Sequence, residues 1–173
     1  EMSASLVGSE MCIRDRGRVE VVPTPGKDYT VLIDYSHTPD SLENILRAVR
    51  GFCTGRIIAV FGCGGDRDPF KRPVMGKIAA ELSDLAIVTS DNPRTEDPYK
   101  ILRQILAGMQ DTETPYEVIE SRVSAIGRAM ELAQKDDVIV LCGKGHETYQ
   151  EVGHEKHHLD EREVVASYLE ANA

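Results

Sequence analysis

The feature that most constrains this chain is the recurrence of short, wholly apolar runs, each followed by a stretch with helical periodicity. Thr30-Val-Leu-Ile-Asp34, Arg56-Ile-Ile-Ala-Val-Phe-Gly62, Leu85-Ala-Ile-Val-Thr89 and Asp137-Val-Ile-Val-Leu-Cys142 show no apolar–polar alternation inside them. A strand with one wet face alternates, whereas a strand apolar throughout is buried on both faces. That pattern belongs to a parallel sheet with helices on its two sides. Between the runs, Pro39-Asp-Ser-Leu-Glu opens a helix that sets Leu42, Ile45, Leu46 and Val49 on one face. Further helices are expected from about Pro73, from about Tyr99 to Met109, through Ile126, Met130 and Ala133, and from about Asp160. Tyr116-Glu-Val-Ile119 reads as a shorter strand, and an edge segment is expected near residues 151–158. The fold class that follows is α/β, an open, doubly wound, mainly parallel sheet of about six strands. One domain is expected over residues 17–173. Residues 1–16 follow neither period and are expected to be a non-native leader or disordered linker, removable without loss of stability.

Composition narrows the functional classes. At 173 residues and 41% hydrophobic, the chain can bury a core of its own. A formal net charge of −9 disfavours general nucleic-acid binding, which draws affinity from neutralised phosphates. No apolar run approaches the length of a bilayer span, so no membrane partner is expected. Cys12, Cys53, Cys63 and Cys142 are scattered without a CxxC pair, which reads as reduced thiols in a cytoplasmic protein.

Open α/β sheets bind ligands beyond the carboxyl ends of their strands. Four such ends carry polar loops: Asp34-Tyr-Ser-His-Thr-Pro-Asp40, Gly62-Cys-Gly-Gly-Asp-Arg-Asp68, Ser90-Asp-Asn-Pro-Arg94 and Gly143-Lys-Gly-His-Glu147. Parallel strands bring all four to one rim, with carboxylates, guanidiniums, imidazoles, and glycines that would let a ligand approach the backbone. Each loop also has a plainer reading. Gly62, Gly64 and Gly65 could simply turn a strand into a helix, and Asp91-Asn-Pro-Arg could be an Asx turn. His37 could cap the following helix. Asp66, Asp68, Glu96 and Asp97 read as solvated or capping charges, and His154, His157 and His158 as solvated imidazoles rather than a metal site. Arg67 occupies the place of the third glycine of GxGxxG, and no GxxxxGK[ST] is present, so neither a dinucleotide fingerprint nor a Walker A loop is formed.

Taken in order, the four loops resemble a known family. Asp34-Tyr-Ser-His-Thr-Pro-Asp-Ser-Leu-Glu43 is similar to the DYAHTPD-type segment of the Mur ligases. Gly62-Cys-Gly-Gly-Asp-Arg-Asp68 with Lys71-Arg72-Pro73 resembles the GCGGDRDxxKRP stretch of the diaminopimelate-adding members. Asp91-Asn-Pro-Arg94 resembles their amino-acid recognition motif, and Gly143-Lys-Gly-His-Glu147 their last substrate loop. The resemblance runs from Gly17 to the C-terminus.

The resemblance implies the C-terminal, amino-acid-binding domain of an ATP-dependent ligase of peptidoglycan synthesis. In that family ATP activates the carboxylate of UDP-MurNAc-L-Ala-D-Glu, and the amine of meso-diaminopimelate attacks the acyl phosphate. It implies that Arg67 and Arg94 hold ligand carboxylates, and that Asp91, Asn92 and Pro93 belong to the same amino-acid site, Asp91 and Asn92 positioning the Arg94 loop and contacting the zwitterion. Gly143 and Glu147 would receive the distal ammonium, while Arg18, Asp34 and His37 would contact ATP. The UDP-sugar-binding and P-loop domains of the family, which hold most of the ATP and Mg2+ contacts, have no counterpart in these residues. No catalytic residue or metal site is therefore expected here, and the chain alone is expected to be inactive and monomeric. The rival readings are a lysine-adding or other Mur or folylpolyglutamate-type ligase domain, and a non-catalytic small-molecule-binding module.

Overall fold

The computed structural model describes residues 19–173; Arg18 and the expected leader at residues 1–16 lie outside the described residues. Strand β1 (Val19–Val22) leads into β2 (Thr30–Asp34), helix α1 (Pro39–Arg50), β3 (Ile57–Phe61) and α2 (Lys71–Leu82). Then come β4 (Leu85–Val88), α3 (Pro98–Leu106) with a 3-10 turn (Ala107–Met109), β5 (Tyr116–Val118), α4 (Arg122–Leu132) and β6 (Val138–Cys142). A hairpin of β7 (Tyr149–Val152) and β8 (Glu155–His158) precedes the last helix, α5 (Glu161–Ala171).

The main sheet has six strands in the order β1-β2-β6-β3-β4-β5. All neighbours are parallel except β1, which pairs antiparallel with β2, Val19 opposite Asp34 and Val22 opposite Val31. The apolar strands divide their side chains as a doubly buried sheet requires. Ile57, Ala59 and Phe61 of β3 join the core beneath α1, α2 and α3, with Leu42, Leu46, Met75 and Ile105. Ile58 and Val60 join the opposite core beneath α4 and α5, with Ile126, Met130 and Val165. Alternation along the pleat thus appears as two cores rather than as one core and one wet face.

Local chemistry sets the helix starts. Thr38 caps α1: its Oγ1 accepts from Ser41 N at 3.3 Å, while Thr38 N donates to Ser41 Oγ at 3.1 Å, and Pro39 follows at the first helical position. His37 is therefore not the cap; its Nδ1 lies 2.9 Å from the Tyr35 carbonyl instead. Asp97, Ser121 and Asp160 cap α3, α4 and α5 through their side-chain oxygens. α2 begins at Lys71, two residues before Pro73, with no side-chain cap.

One expectation about the sheet is corrected, and one strand was not expected. The segment near residues 151–158 is not an edge of the main sheet; it forms the separate β7–β8 hairpin. The outer antiparallel strand is instead Val19-Glu-Val-Val22, a half-buried edge too short for its alternation to stand out.

Candidate functional site

The carboxyl ends of β2, β3, β4 and β6 point to one rim, and the loops leaving them interlock. Two glycines of the loop after β3 make this possible. A Cβ on Gly62 would lie 2.1 Å from the Thr89 carbonyl oxygen, and one on Gly65 would lie 1.8 Å from that of Pro93. Gly65 N also donates to the Asn92 carbonyl at 2.8 Å. The expectation that these glycines admit a ligand is corrected: they admit the backbone of the neighbouring loop. The packing buries Asp91, Asn92 and Pro93 and leaves Arg94 partly exposed.

Arg94 adopts the left-handed backbone region, φ 51°, uncommon for a residue with a Cβ. The β7–β8 hairpin holds it there. Arg94 N donates to the Glu151 carbonyl at 3.0 Å, and Gly153 N donates to the Arg94 carbonyl at 2.7 Å. Its side chain is braced as well, Nε donating to Glu151 Oε2 at 3.0 Å and Nη1 to the Gly65 carbonyl at 2.9 Å. Arg67 is exposed and donates to the Asp66 carbonyl at 3.0 Å. Arg67 and Arg94 flank the same glycine: a Cβ on Gly64 would meet Arg94 Nη1 at 2.9 Å and Arg67 Cγ at 3.7 Å. The Arg67 stem and the Arg94 guanidinium therefore lie on either side of Gly64.

The loop after β6 supplies another part of the rim. Gly143 has φ +116°, and a Cβ there would come within 3.0 Å of Asp91 Oδ2. Gly143 N donates to the Asp34 carbonyl at 3.0 Å, tying this loop to β2. Glu147 accepts from Asn92 Nδ2 at 3.3 Å and from the Tyr35 hydroxyl at 3.4 Å, both long bonds that leave its carboxylate oxygens able to take more. Burial, and then the Glu147 carboxylate, raise the Tyr35 phenol above its ordinary value, so it stays a donor. The Tyr35 ring also touches the imidazoles of His37, 4.6 Å between centroids, and His146, 5.2 Å. Asp34 is buried and accepts from Ser36 Oγ, whereas His37 is exposed.

The structure thus gathers Asp91, Asn92, Pro93, Arg94, Gly143 and Glu147, with Arg67 beside them. It places His37 at the surface next to Tyr35 and Asp34 beneath it; Arg18 lies outside the described residues. Sequence reasoning assigned no role to several residues that hold the site. Lys144 is fully buried among Asp91, Asn92 and Glu147. Glu151 braces Arg94. Arg72, fully buried, donates to Glu96 at 2.8 and 2.9 Å and to the Gly64 carbonyl at 2.9 Å, fastening the glycine-rich loop from below. Glu96 is therefore not a solvated charge; Arg72 hydrogen bonding pulls its carboxyl down to about 2. Arg122, also fully buried, pairs with Glu161 at 2.7 Å and donates to the Ser90 and Cys142 carbonyls, joining the ends of β4 and β6. The one available signal was a cation set one residue beyond a fully apolar strand, as Lys144 is after Gly143.

The model of the family described as Mur ligase, glutamate ligase domain, matches residues 17–145. The chain belongs to the Mur ligase family. Among relatives of this Mur ligase domain is a protein of Trichormus variabilis named UDP-N-acetylmuramoyl-L-alanyl-D-glutamate--2,6-diaminopimelate ligase, 62% identical over 154 residues, 88% of this chain and 31% of that protein. A Clostridioides difficile protein of the same name is 53% identical over 153 residues, 88% of this chain and 31% of that one. The chain therefore spans about a third of the length of the curated relatives it matches. A solved structure of a ligase of that name superposes with TM-score 0.85 at 39% identity, covering 90% of this chain and 32% of the other. A UDP-N-acetylmuramate-alanine ligase from Thermotoga maritima, 18% identical with TM-score 0.52 over 86% of this chain and 28% of its own, shares the fold.

Among the described residues no helix is long and apolar enough to cross a membrane. Nor do the described residues gather three or more His, Cys, Asp or Glu side chains able to hold a metal ion.

Proposed function

We propose that this chain is the amino-acid-binding domain of an ATP-dependent ligase that adds meso-diaminopimelate to UDP-MurNAc-L-Ala-D-Glu in peptidoglycan synthesis. The observation that carries the reading is a chain of hydrogen bonds that links Arg94 to Glu147: Arg94 Nε donates to Glu151, Glu151 N donates to Asn92 Oδ1, and Asn92 Nδ2 donates to Glu147, a guanidinium and a carboxylate on one rim. The distal end of diaminopimelate has the complementary pair, a carboxylate and an ammonium on one carbon. Lysine has the ammonium alone and would bring no carboxylate to the N–H groups of Arg94 that Glu151 and Gly65 leave free. The names of relatives 53% and 62% identical support the same choice.

In this reading Arg94 meets the distal carboxylate. Glu151 and Gly65 engage two of its N–H groups, which aims the planar fork and leaves further donors for the ligand. Arg67 adds a second cation, its stem beside Gly64. Glu147 and the Gly143 carbonyl take the distal ammonium, while Asp91, Asn92 and Pro93 keep the Arg94 loop in place. With the distal end fixed, the other amine is presented to the activated carboxylate, and positioning is the domain's contribution to rate. ATP, when bound, supplies the phosphoryl group that activates that carboxylate. His37, exposed beside Tyr35, would contact the nucleotide together with Arg18, and Asp34 would act through the loop it braces. The described residues do not form a Mg2+ ligand set. A cytoplasmic, monomeric enzyme goes with this reading.

Calorimetric titration of the chain with meso-diaminopimelate and with L-lysine tests the ligand. The chain joined to the remaining two thirds of a relative, assayed for phosphate release with each amino acid, tests the reaction. Diaminopimelate should be favoured in both, and the chain alone should release no phosphate from ATP. Equal use of lysine would overturn the substrate, and binding without turnover in the joined protein would favour a binding module.

A further inference from the structure

Lys144 is flanked by Gly143 and Gly145, and its side chain is fully buried. An ammonium in such a place must have its N–H groups satisfied and its charge matched. Lys144 Nζ donates to Asn92 Oδ1 at 2.8 Å and to the Tyr149 carbonyl at 2.9 Å. Its remaining side faces two carboxylates, Asp91 Oδ1 at 3.4 Å and Glu147 Oε2 at 3.6 Å. Burial lowers the ammonium's affinity for its proton, while Asp91 and Glu147 oppose that shift.

These contacts decide which way the Asn92 carboxamide points. Its Oδ1 receives Lys144 Nζ and also Glu151 N at 2.9 Å. Neither group can accept a hydrogen bond, so the amide cannot be reversed without setting donor against donor. Nδ2 must then face Glu147, where it donates to Oε2 at 3.3 Å. Lys144 also stands between Asp91 and Glu147, two carboxylates that would otherwise repel, and sets one cation between them.

We infer that Lys144 is a positioning residue for amino-acid recognition, turning the Asn92 amide donor toward Glu147 and so holding the Glu147 carboxylate in place for the distal ammonium of the ligand. The inference rests on the ligand named above. It adds that the specificity of the rim depends on a cation the ligand never touches. Without Lys144 the Asn92 amide is free to turn, and Glu147 and Asp91 share a buried site with no cation between them.

The test uses the chain as it stands, wild type and Lys144→Met, with two readouts. In the ligand-free protein, nitrogen-15 NMR should show a slowly exchanging Lys144 ammonium and a rigid Asn92 side-chain amide. Lys144→Met should lose the first and mobilise the second. In calorimetry with meso-diaminopimelate, measured where both proteins are folded, Lys144→Met should weaken binding by about thirtyfold or more. Wild type that binds no diaminopimelate overturns the ligase reading and the ligand named here. Wild type that binds, with Lys144→Met binding within twofold of it, overturns the positioning role alone. Should Lys144→Met not fold, Asn92→Asp decides: it keeps the acceptor for Lys144 but turns the donor facing Glu147 into an anion. It should retain the ammonium signal and bind about tenfold more weakly; unaltered binding overturns the inference.

Discussion

The two ends of the sheet use the same chemistry to different effect. At the amino end, Asp137 precedes β6 and its carboxylate is saturated by its own neighbourhood. Oδ1 accepts from Arg56 N at 2.8 Å, and Oδ2 accepts from Arg56 Nη2 and from Gln134 N, each at 2.8 Å. Asp84 does the same before β4, accepting from Ile57 N at 2.8 Å and Arg50 at 2.9 Å. At the carboxyl end, the Glu147 bonds are long, and Arg94 keeps donors beyond the two that Glu151 and Gly65 engage. One end closes the sheet and the other is left with capacity for a ligand. Groups oriented but not saturated are what a preorganised site requires, and the amino-end clasps are pure stability.

The sharpest way to separate the two roles lies beneath the rim. Arg122→Met leaves Glu161 buried without its cation and should lower stability by about 3–5 kcal/mol in denaturant unfolding. Adding Glu161→Leu should restore most of that loss, because an apolar pair of similar volume avoids the desolvation of both charges. A double variant no better than the single one would mean that the bonds to the Ser90 and Cys142 carbonyls dominate.

Next in size, Arg94→Ala should weaken diaminopimelate binding by about 2–4 kcal/mol and narrow its margin over lysine, with the fold intact. Arg94→Lys should recover little, since an ammonium cannot reproduce the planar fork. An unchanged ratio in calorimetry would make Asp91-Asn-Pro-Arg94 a structural turn and erase the contrast between the ends. The amino-end counterpart, Asp137→Asn, should cost about 1.5–3 kcal/mol of stability and leave the ligand affinity within twofold.

Acid provides a graded version. Arg72 hydrogen bonding depresses Glu96 from 4.5 to about 2. A depressed carboxyl binds fewer protons folded than unfolded, so its contribution is complete above about 4.5 and fades as pH falls toward about 2. Asp137 behaves alike: burial alone would raise it, but the hydrogen bonds from Arg56 and Gln134 outweigh burial and lower it. Thermal midpoints followed from pH 5 downward should fall less steeply in Glu96→Gln than in wild type; parallel curves would show that the Arg72 pair is not coupled to folding. The smallest effect is expected at the exposed His158, whose bond to Glu163 raises its affinity for a proton. Its contribution is full below the unfolded value of 6.5 and is lost as pH rises through the raised folded value. His158→Ala should remove that slight alkaline decline without touching ligand binding.

Much of the fold was legible because strands buried on both faces have no alternation to hide. Residues 57–61 and 138–142 announced a parallel interior, and the helix faces followed from 3.6-residue spacing. The first and last pairings were not legible. Val19–Val22 is a short edge, and residues 149–158 leave the sheet to form a hairpin whose purpose is tertiary, to hold the Arg94 loop. In the site, the residues with polar ends on the rim stood out from the loops that carry them. Those that support them from below did not: Glu96 looked like any surface acid, Glu151 like any edge residue, and Arg72 like an ordinary helix-start cation.

By itself, the sequence determined the layers, the order of helices and strands between residues 30 and 142, and the four loops that meet at one rim. These depend on periodicity and on which groups must be buried, and both are local properties of the chain. Only the tertiary structure decided that Gly62 and Gly65 admit a neighbouring loop, and that Glu151 aims Arg94. It alone decided that Lys144 fixes the Asn92 amide. Each of these depends on two segments separated along the chain and brought into contact by the fold, and the direction of a buried polar group is set by the partner it meets there.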